Sequence, residues 1–161
     1  MMETFEIAFT RLGDLWVPHK GKAAAGHIRI GDYLESFLAP LDRLSRMDYM
    51  EQWASALQHL VRFGKKSALL TSYRGGNEVV GERWALYPVG DRVLIQNQLI
   101  LANIAGPRFN PRKADAAIPP HRSVNEEGRP ISEWSITLGS LHAFHHRLQS
   151  KLARIRSQRS G

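Results

Sequence analysis

The chain has no cysteine among its 161 residues. That excludes a disulfide framework, a thiolate metal site and a cysteine nucleophile, and it suits a reducing compartment. Long apolar runs are missing too, and the longest fall far short of the roughly 20 residues a membrane-crossing helix needs. The opening Met1-Met2-Glu3-Thr4-Phe5-Glu6 carries acid where a secretory leader carries base, with no apolar core after it, so the expected location is the cytoplasm. There is no Gly-x-x-x-x-Gly-Lys-Ser/Thr loop, no Gly-x-Ser-x-Gly elbow, and no Gly-x-Gly-x-x-Gly after a strand. Nor is there self-similarity at a period of 20 to 50 residues, which speaks against a repeat architecture. The sequence thus spells out no reaction, and the expectation is a binding protein that uses no catalysis, cofactor or metal. The enzymatic alternative is a small hydrolase whose His, carboxylate and Lys or Arg are brought together by the fold, with His121 as the first candidate.

What is present is an ordinary globular composition, 43% hydrophobic and 23% charged, at the length of one domain. A single α+β domain over residues 1–161 is expected. The net charge is +7, but residues 147–161 hold Arg147, Lys151, Arg154, Arg156 and Arg159 and no acid, leaving only about +2 elsewhere. The default reading of that basic tail is a solvated, partly frayed end of a helix. The alternative is a contact with nucleic acid, whose phosphates clustered cations neutralise.

Thr4 to Thr10 alternates apolar Phe5, Ile7 and Phe9 with Glu6 and Ala8, the period of a half-buried strand, and Gly13-Asp14 breaks it. Pro18 to Gly26 is small, basic and aperiodic and reads as a loop; Ile28 to Phe37 reads as an extended segment interrupted at Gly31-Asp32. From Met47 to Phe63, Met50, Trp53, Ala54, Leu57, Leu60 and Val61 fall at steps of three and four on one helical face. Ser45 and Asp48 are spaced as a capping box, and Gly64 supplies the left-handed stop. Ser67–Tyr73, Val79–Tyr87 and Arg92–Leu101 read as strands joined by turns at Gly75-Gly76-Asn77 and Pro88-Val89-Gly90-Asp91, hence as antiparallel hairpins. Ile131–Leu138 alternates as a further strand. The predicted architecture is an antiparallel meander packed against one amphipathic helix, about 46–63, with a C-terminal helix over about 140–155. Gly106 to Pro120, with four prolines, is a long surface excursion.

Three features invite a functional reading. His142, His145 and His146 share a helical side at metal-ligand spacing, but no nearby acid completes a site, so they read as an exposed helix surface. Gln96-Asn97-Gln98 interrupts an apolar strand, and buried amides need hydrogen-bond partners. They either brace the sheet against the 106–120 excursion or present Gln96 and Gln98 to a partner. Trp84, Tyr87 and Trp134 could be interface anchors, although strand aromatics usually belong to the core.

Several of these pieces recur in a familiar order. Ile30-Gly31-Asp32-Tyr33 with Glu35 and Phe37, Tyr49 with Gln52-Trp53, and Lys66-Ser67-Ala68-Leu69-Leu70-Thr71-Ser72 come first. Trp84-Ala85-Leu86-Tyr87, Gly90-Asp91, Gln96-Asn97-Gln98-Leu99, Pro119-Pro120-His121-Arg122 and Ile131-Ser132-Glu133-Trp134 follow. The set, over about residues 28–138, resembles the immunity proteins of bacterial contact-dependent growth inhibition systems. Residues 1–24, expected to be a variable N-terminal strand and loop, and the chain after Leu138 lie outside it. The resemblance implies a cytoplasmic antitoxin that binds and blocks the toxic C-terminal domain of a delivered effector, commonly a nuclease, as a 1:1 complex. An inhibitor facing a basic nuclease cleft would offer acids, yet this chain is basic overall. Either the acids Asp32, Glu35, Asp42, Glu126, Glu127 and Glu133 gather locally while the tail faces away, or the toxin is not a nuclease with a basic cleft; these acids, with Gln96 and Gln98, are the candidate partner-binding residues.

Overall fold

The structure is a computed structural model that describes residues 3–106, 109–113 and 117–160. The chain runs β1 (Phe5–Phe9), β2 (Leu15–Val17), β3 (Gly21–Ile30), β4 (Tyr33–Pro40), α1 (Arg46–Phe63), β5 (Ser67–Tyr73), β6 (Val79–Val89), β7 (Arg92–Leu101), α2 (Ala102–Ala105), β8 (Trp134–Thr137) and α3 (Leu138–Ser160). A 3₁₀ turn, Pro111–Lys113, lies between α2 and β8. The class is α+β, as expected, but the strands form two antiparallel sheets. In the first, β3 pairs with β4 on one edge and with β1 and β2 in succession on the other. The second is the anticipated meander, β5-β6-β7-β8.

The largest departure from the sequence reading is at Pro18 to Gly26, where Gly21 onward is strand and not loop. Ala23 and Ala24 are fully buried. The residues are small because the neighbours are close: a Cβ at Gly26 would meet the Phe37 ring at 2.5 Å and the Ala8 carbonyl at 2.9 Å. Phe37 thus covers a glycine on the facing strand, a pairing that a propensity argument cannot see. Gly31-Asp32 is a hairpin turn that divides β3 from β4, not a flaw in one segment. β8 is shorter than predicted because residues 131–133 leave the sheet, and α3 begins earlier because Thr137 closes β8 and then accepts a hydrogen bond from the Ser140 amide (3.2 Å).

α1 forms as its sequence dictates. Ser45 accepts from the Asp48 amide (3.1 Å), Asp48 accepts in return from the Ser45 amide (2.9 Å), and Gly64 closes the helix with φ of 64°. Its buried face carries three polar groups aimed at the outer edge of β5. The Gln52 amide donates to the Ala68 carbonyl (2.7 Å) and accepts from the Leu70 amide (2.8 Å), the pattern of a neighbouring strand. Trp53 Nε1 donates to the Leu70 carbonyl (2.7 Å). Tyr49 donates to the Pro40 carbonyl (2.8 Å) and accepts from the Tyr73 amide (3.2 Å), tying β4 to β5. One edge of the meander is therefore sealed by side chains, which protects it from pairing with another chain.

A single apolar cluster joins both sheets and both long helices, with Ile7, Ile28, Trp53, Leu69, Trp84, Ile95, Ile136 and Phe144 among its members. Tyr33 of the first sheet stacks on Trp134 of the second, ring centroids 4.3 Å apart. α3 adds Leu141, Leu148 and Leu152.

Candidate partner-binding site

The far face of the meander is covered by the chain after α2, and the covering is held by its carbonyls. Arg83 Nη2 donates to Ala117 (3.1 Å), Lys66 Nζ to Ile118 (3.0 Å), the Tyr87 hydroxyl to Pro119 (2.9 Å) and Gln96 Nε2 to Arg122 (3.0 Å). Ile118 is buried among Ala68, Ala85 and Tyr87. Gln96 also donates to Glu133 Oε1 (2.9 Å), which His121 contacts in turn, and Gln98 donates to the Tyr87 hydroxyl (2.9 Å). Both glutamines are thus engaged inside the fold. Gln96 braces the sheet against Arg122 and Glu133, just beyond the expected 106–120 excursion, and Gln98 bonds within the sheet to Tyr87, which holds Pro119 inside that excursion. Residues 107–108 and 114–116 of that excursion lie outside the described residues.

The covering is incomplete. Between β7 and the covering segment runs a groove of about 530 Å³, lined by Gln98, Leu99, Leu101, Ile104, Arg122 and Ile131 among others. Leu99 and Ile104, both lining the groove, are 57% and 67% exposed and give it an apolar rim.

The candidate acids do not form one patch. Asp32 sits in the β3–β4 turn and Asp42 just beyond the other end of β4, a strand of eight residues spanning roughly 26 Å. Glu126 and Glu127 occupy an exposed turn closed by the Asn125 amide donating to the Arg129 carbonyl (2.9 Å). Glu133 joins the Gln96 network. Glu35 accepts from the Tyr33 hydroxyl (2.8 Å); burial, and secondarily the charge of Glu35, raises the pKa of Glu82 on β6. Glu82 was not singled out from the sequence, where it is one acid in a strand with nothing to mark Glu35 as its neighbour. In the orientation that satisfies its neighbours, the Asn97 amide donates to Glu82 (3.0 Å) and accepts from Trp84 Nε1 (3.3 Å). Trp84 and Tyr87 are core residues, and Trp134 is partly buried against Tyr33.

The histidines are corrected in one respect. His142 and His146 are exposed, but His145 is 7% exposed, its Nε2 has no hydrogen-bond partner among the described residues, and burial lowers its pKa first, with the charges of His142 and His146 acting in the same direction. Among the described residues no group of three or more His, Asp or Glu is placed to hold a metal ion. The basic tail is continuous helix to Ser160 rather than a frayed end. Arg147 lies over the Phe144 ring and donates to the Phe5 carbonyl (3.4 Å), and Arg156 pairs with Glu51 (3.5 Å). Among the described residues no helix is long and apolar enough to cross a membrane.

Fold and surface together define an α+β scaffold with an apolar groove beside a strand edge, a surface of the kind a binding protein offers a macromolecular partner. Comparison with known proteins makes this specific. The family model described as the CdiI N-terminal domain matches residues 39–144. The immunity protein CdiI of Enterobacter cloacae subsp. cloacae is 30% identical over 125 residues, covering 76% of this chain and 85% of that protein. A solved structure, the CdiA-CT/CdiI toxin and immunity complex from Enterobacter cloacae, contains a chain that matches with a TM-score of 0.81 at 26% identity, over 91% of this chain and 99% of that one. The chain belongs to the CdiI family of immunity proteins of contact-dependent growth inhibition systems.

Proposed function

We propose that this chain binds the toxic C-terminal domain of a cognate contact-dependent growth inhibition effector in the cytoplasm and neutralises it without catalysis of its own. The observation that carries the reading is the likeness, over 91% of the chain, to a chain of a solved toxin and immunity complex. The finer reading is that the toxin is a nuclease whose active site is occluded. Acids spread around the scaffold rather than gathered, Glu133 beside Gln96, Glu35 on β4 of the first sheet, and Asp32, Asp42, Glu126 and Glu127 at turns or strand ends, would then contact a basic cleft from several elements.

The test is titration of the purified chain with the C-terminal toxin domain encoded beside it. A 1:1 complex with submicromolar Kd, and rescue of cells expressing that toxin, is the expected result. No heat and no rescue would reject the proposal. The competing nucleic-acid reading has two of its five tail cations, Arg147 and Arg156, engaged within the fold. It requires affinity for RNA or DNA that falls steeply with salt and disappears when Lys151, Arg154 and Arg159 are neutralised.

A further inference from the structure

The two edges of the meander are treated differently. The β5 edge is sealed by Tyr49, Gln52 and Trp53 of α1. The β7 edge is covered by β8 only as far as Ile95, which pairs with Trp134; there the ladder stops. β7 continues for six more residues, 96–101, still paired with β6 on its other side.

Which backbone groups this leaves open follows from alternation along an antiparallel strand. The Asp91 carbonyl accepts from the Leu138 amide (2.8 Å) on the β8 side, and the Ala102 amide donates to the Glu78 carbonyl (2.8 Å) on the β6 side. The register shift in this hairpin lies in β6, between Val79 and Gly81, so β7 keeps its alternation throughout. Odd-numbered residues therefore face β8 or the space beyond it. Asn97 and Leu99 each turn an N–H and a C=O outward, Leu101 turns its N–H outward, and no described residue pairs with them there. The side chains do nothing to blunt this edge. Leu99 and Leu101 are 57% and 37% exposed, and neither a charge nor a proline interrupts residues 96–101. Soluble proteins ordinarily guard such an edge, as α1 guards the other.

The open stretch is also the wall of the 530 Å³ groove, whose far wall is the covering segment with Pro120, Arg122 and Ile131. The lane is thus bounded on both sides, lies in line with β8, and has ladder groups on one wall. Its described lining includes the exposed cation Arg122, while Arg83 is engaged with the Ala117 carbonyl and Gln98. An extended segment with apolar residues and an acid fits this chemistry. A second copy of the chain fits poorly, because residues 96–101, which edge-to-edge pairing would bring to their own counterparts, carry no acid to meet Arg122.

We propose that the edge of β7 over Asn97–Leu101 receives an extended strand of the toxin domain, adding a strand to the meander in line with β8, with an acidic residue of that strand facing Arg122. The assignment rests on the immunity reading above and names the surface that serves it. Backbone pairing supplies affinity that is largely independent of sequence, while pockets for alternate side chains supply selectivity.

Hydrogen–deuterium exchange of the chain, free and with its toxin domain, reads the edge without any substitution. The Asn97, Leu99 and Leu101 amides should slow at least tenfold in the complex. Leu99→Pro deletes an outward N–H without touching the ladder to β6, and Leu99→Lys keeps the N–H while placing a charge on the edge. Both should weaken toxin binding at least tenfold, and Leu34→Lys, on the exposed face of the first sheet, should not. Toxin binding by the wild-type chain with unchanged exchange at these amides would overturn the strand assignment and leave the immunity reading intact. Absence of binding by the wild-type chain would overturn both. A concentration-dependent dimer of the chain alone that Leu99→Lys abolishes would assign the edge to a second copy and also overturn it.

Discussion

Gln52 is a buried polar residue, 4% exposed, with both ends of its amide committed to the β5 backbone. Replacing it with leucine keeps the volume but leaves the Ala68 carbonyl and the Leu70 amide without partners in the interior. Gln52→Leu should therefore lose about 2 to 4 kcal/mol of stability, read from urea unfolding midpoints. A loss within the scatter of surface substitutions would show that the edge is sealed by other means. Glu82 works in the opposite sense. Burial, and secondarily the charge of Glu35, raise its pKa above the unfolded value. The folded state then holds its proton more tightly, so Glu82 contributes stability fully below the unfolded value of about 4.3, and that contribution is lost as pH rises through the folded pKa. Glu82→Gln should accordingly be more stable than the wild type at neutral pH, with the advantage shrinking below about pH 4. Neither residue could be singled out from the sequence. Periodicity marks apolar positions, and Gln52 and Glu82 acquire their roles from a strand edge and a second carboxylate that only tertiary contacts bring near.

At the scale of elements, the sequence was legible where local chemistry decides. α1 follows from apolar spacing, a capping box and a C-terminal glycine, and β5 and β7 follow from apolar runs between turns. Ser45→Ala should cost about 1 kcal/mol, because it removes the acceptor for the Asp48 amide; a thermal melt checks it. Elements set by their neighbours were misread. β3 looks like a loop because its small residues fit under Phe37 and between β1 and β4, and α3 looks shorter because Thr137 serves strand and helix together. The helix surface read as three exposed histidines hides His145 against the core. Its lowered pKa means the unfolded chain binds the proton more readily, so stability is fully present above the unfolded value of about 6.5 and falls as pH drops through the interval below it. His145→Leu should flatten the dependence of the melting temperature between about pH 5 and 7, whereas His146→Gln, on the exposed side, should leave most of it. Equal slopes in wild type and His145→Leu would assign that dependence to other groups.

For the whole molecule, the candidate site shows where reading a chain alone stops. The acids, the glutamines and the basic tail are all visible as residues, but the groove beside β7 exists only because β8 ends at Trp134 and the covering segment is held by Arg83, Lys66, Tyr87 and Gln96. The same interlocking governs stability. Ile28 of the first sheet, Trp53 and Leu69 at the β5 seam, Ile95 of the second and Phe144 of α3 belong to one apolar cluster, and Tyr49 hydrogen-bonds to both β4 and β5. Neither sheet can expose its inner face without exposing the other's. Tryptophan fluorescence, to which Trp53, Trp84 and Trp134 at this seam contribute beside the exposed Trp16, should therefore change in step with far-ultraviolet circular dichroism during urea unfolding. A core truncation in the first sheet, Ile28→Ala, should lower both midpoints together by about 2 to 5 kcal/mol of stability. Two separated transitions, with Ile28→Ala moving only the first, would show that the sheets fold as independent units and that the meander, with its open edge, stands without the sheet that packs against it.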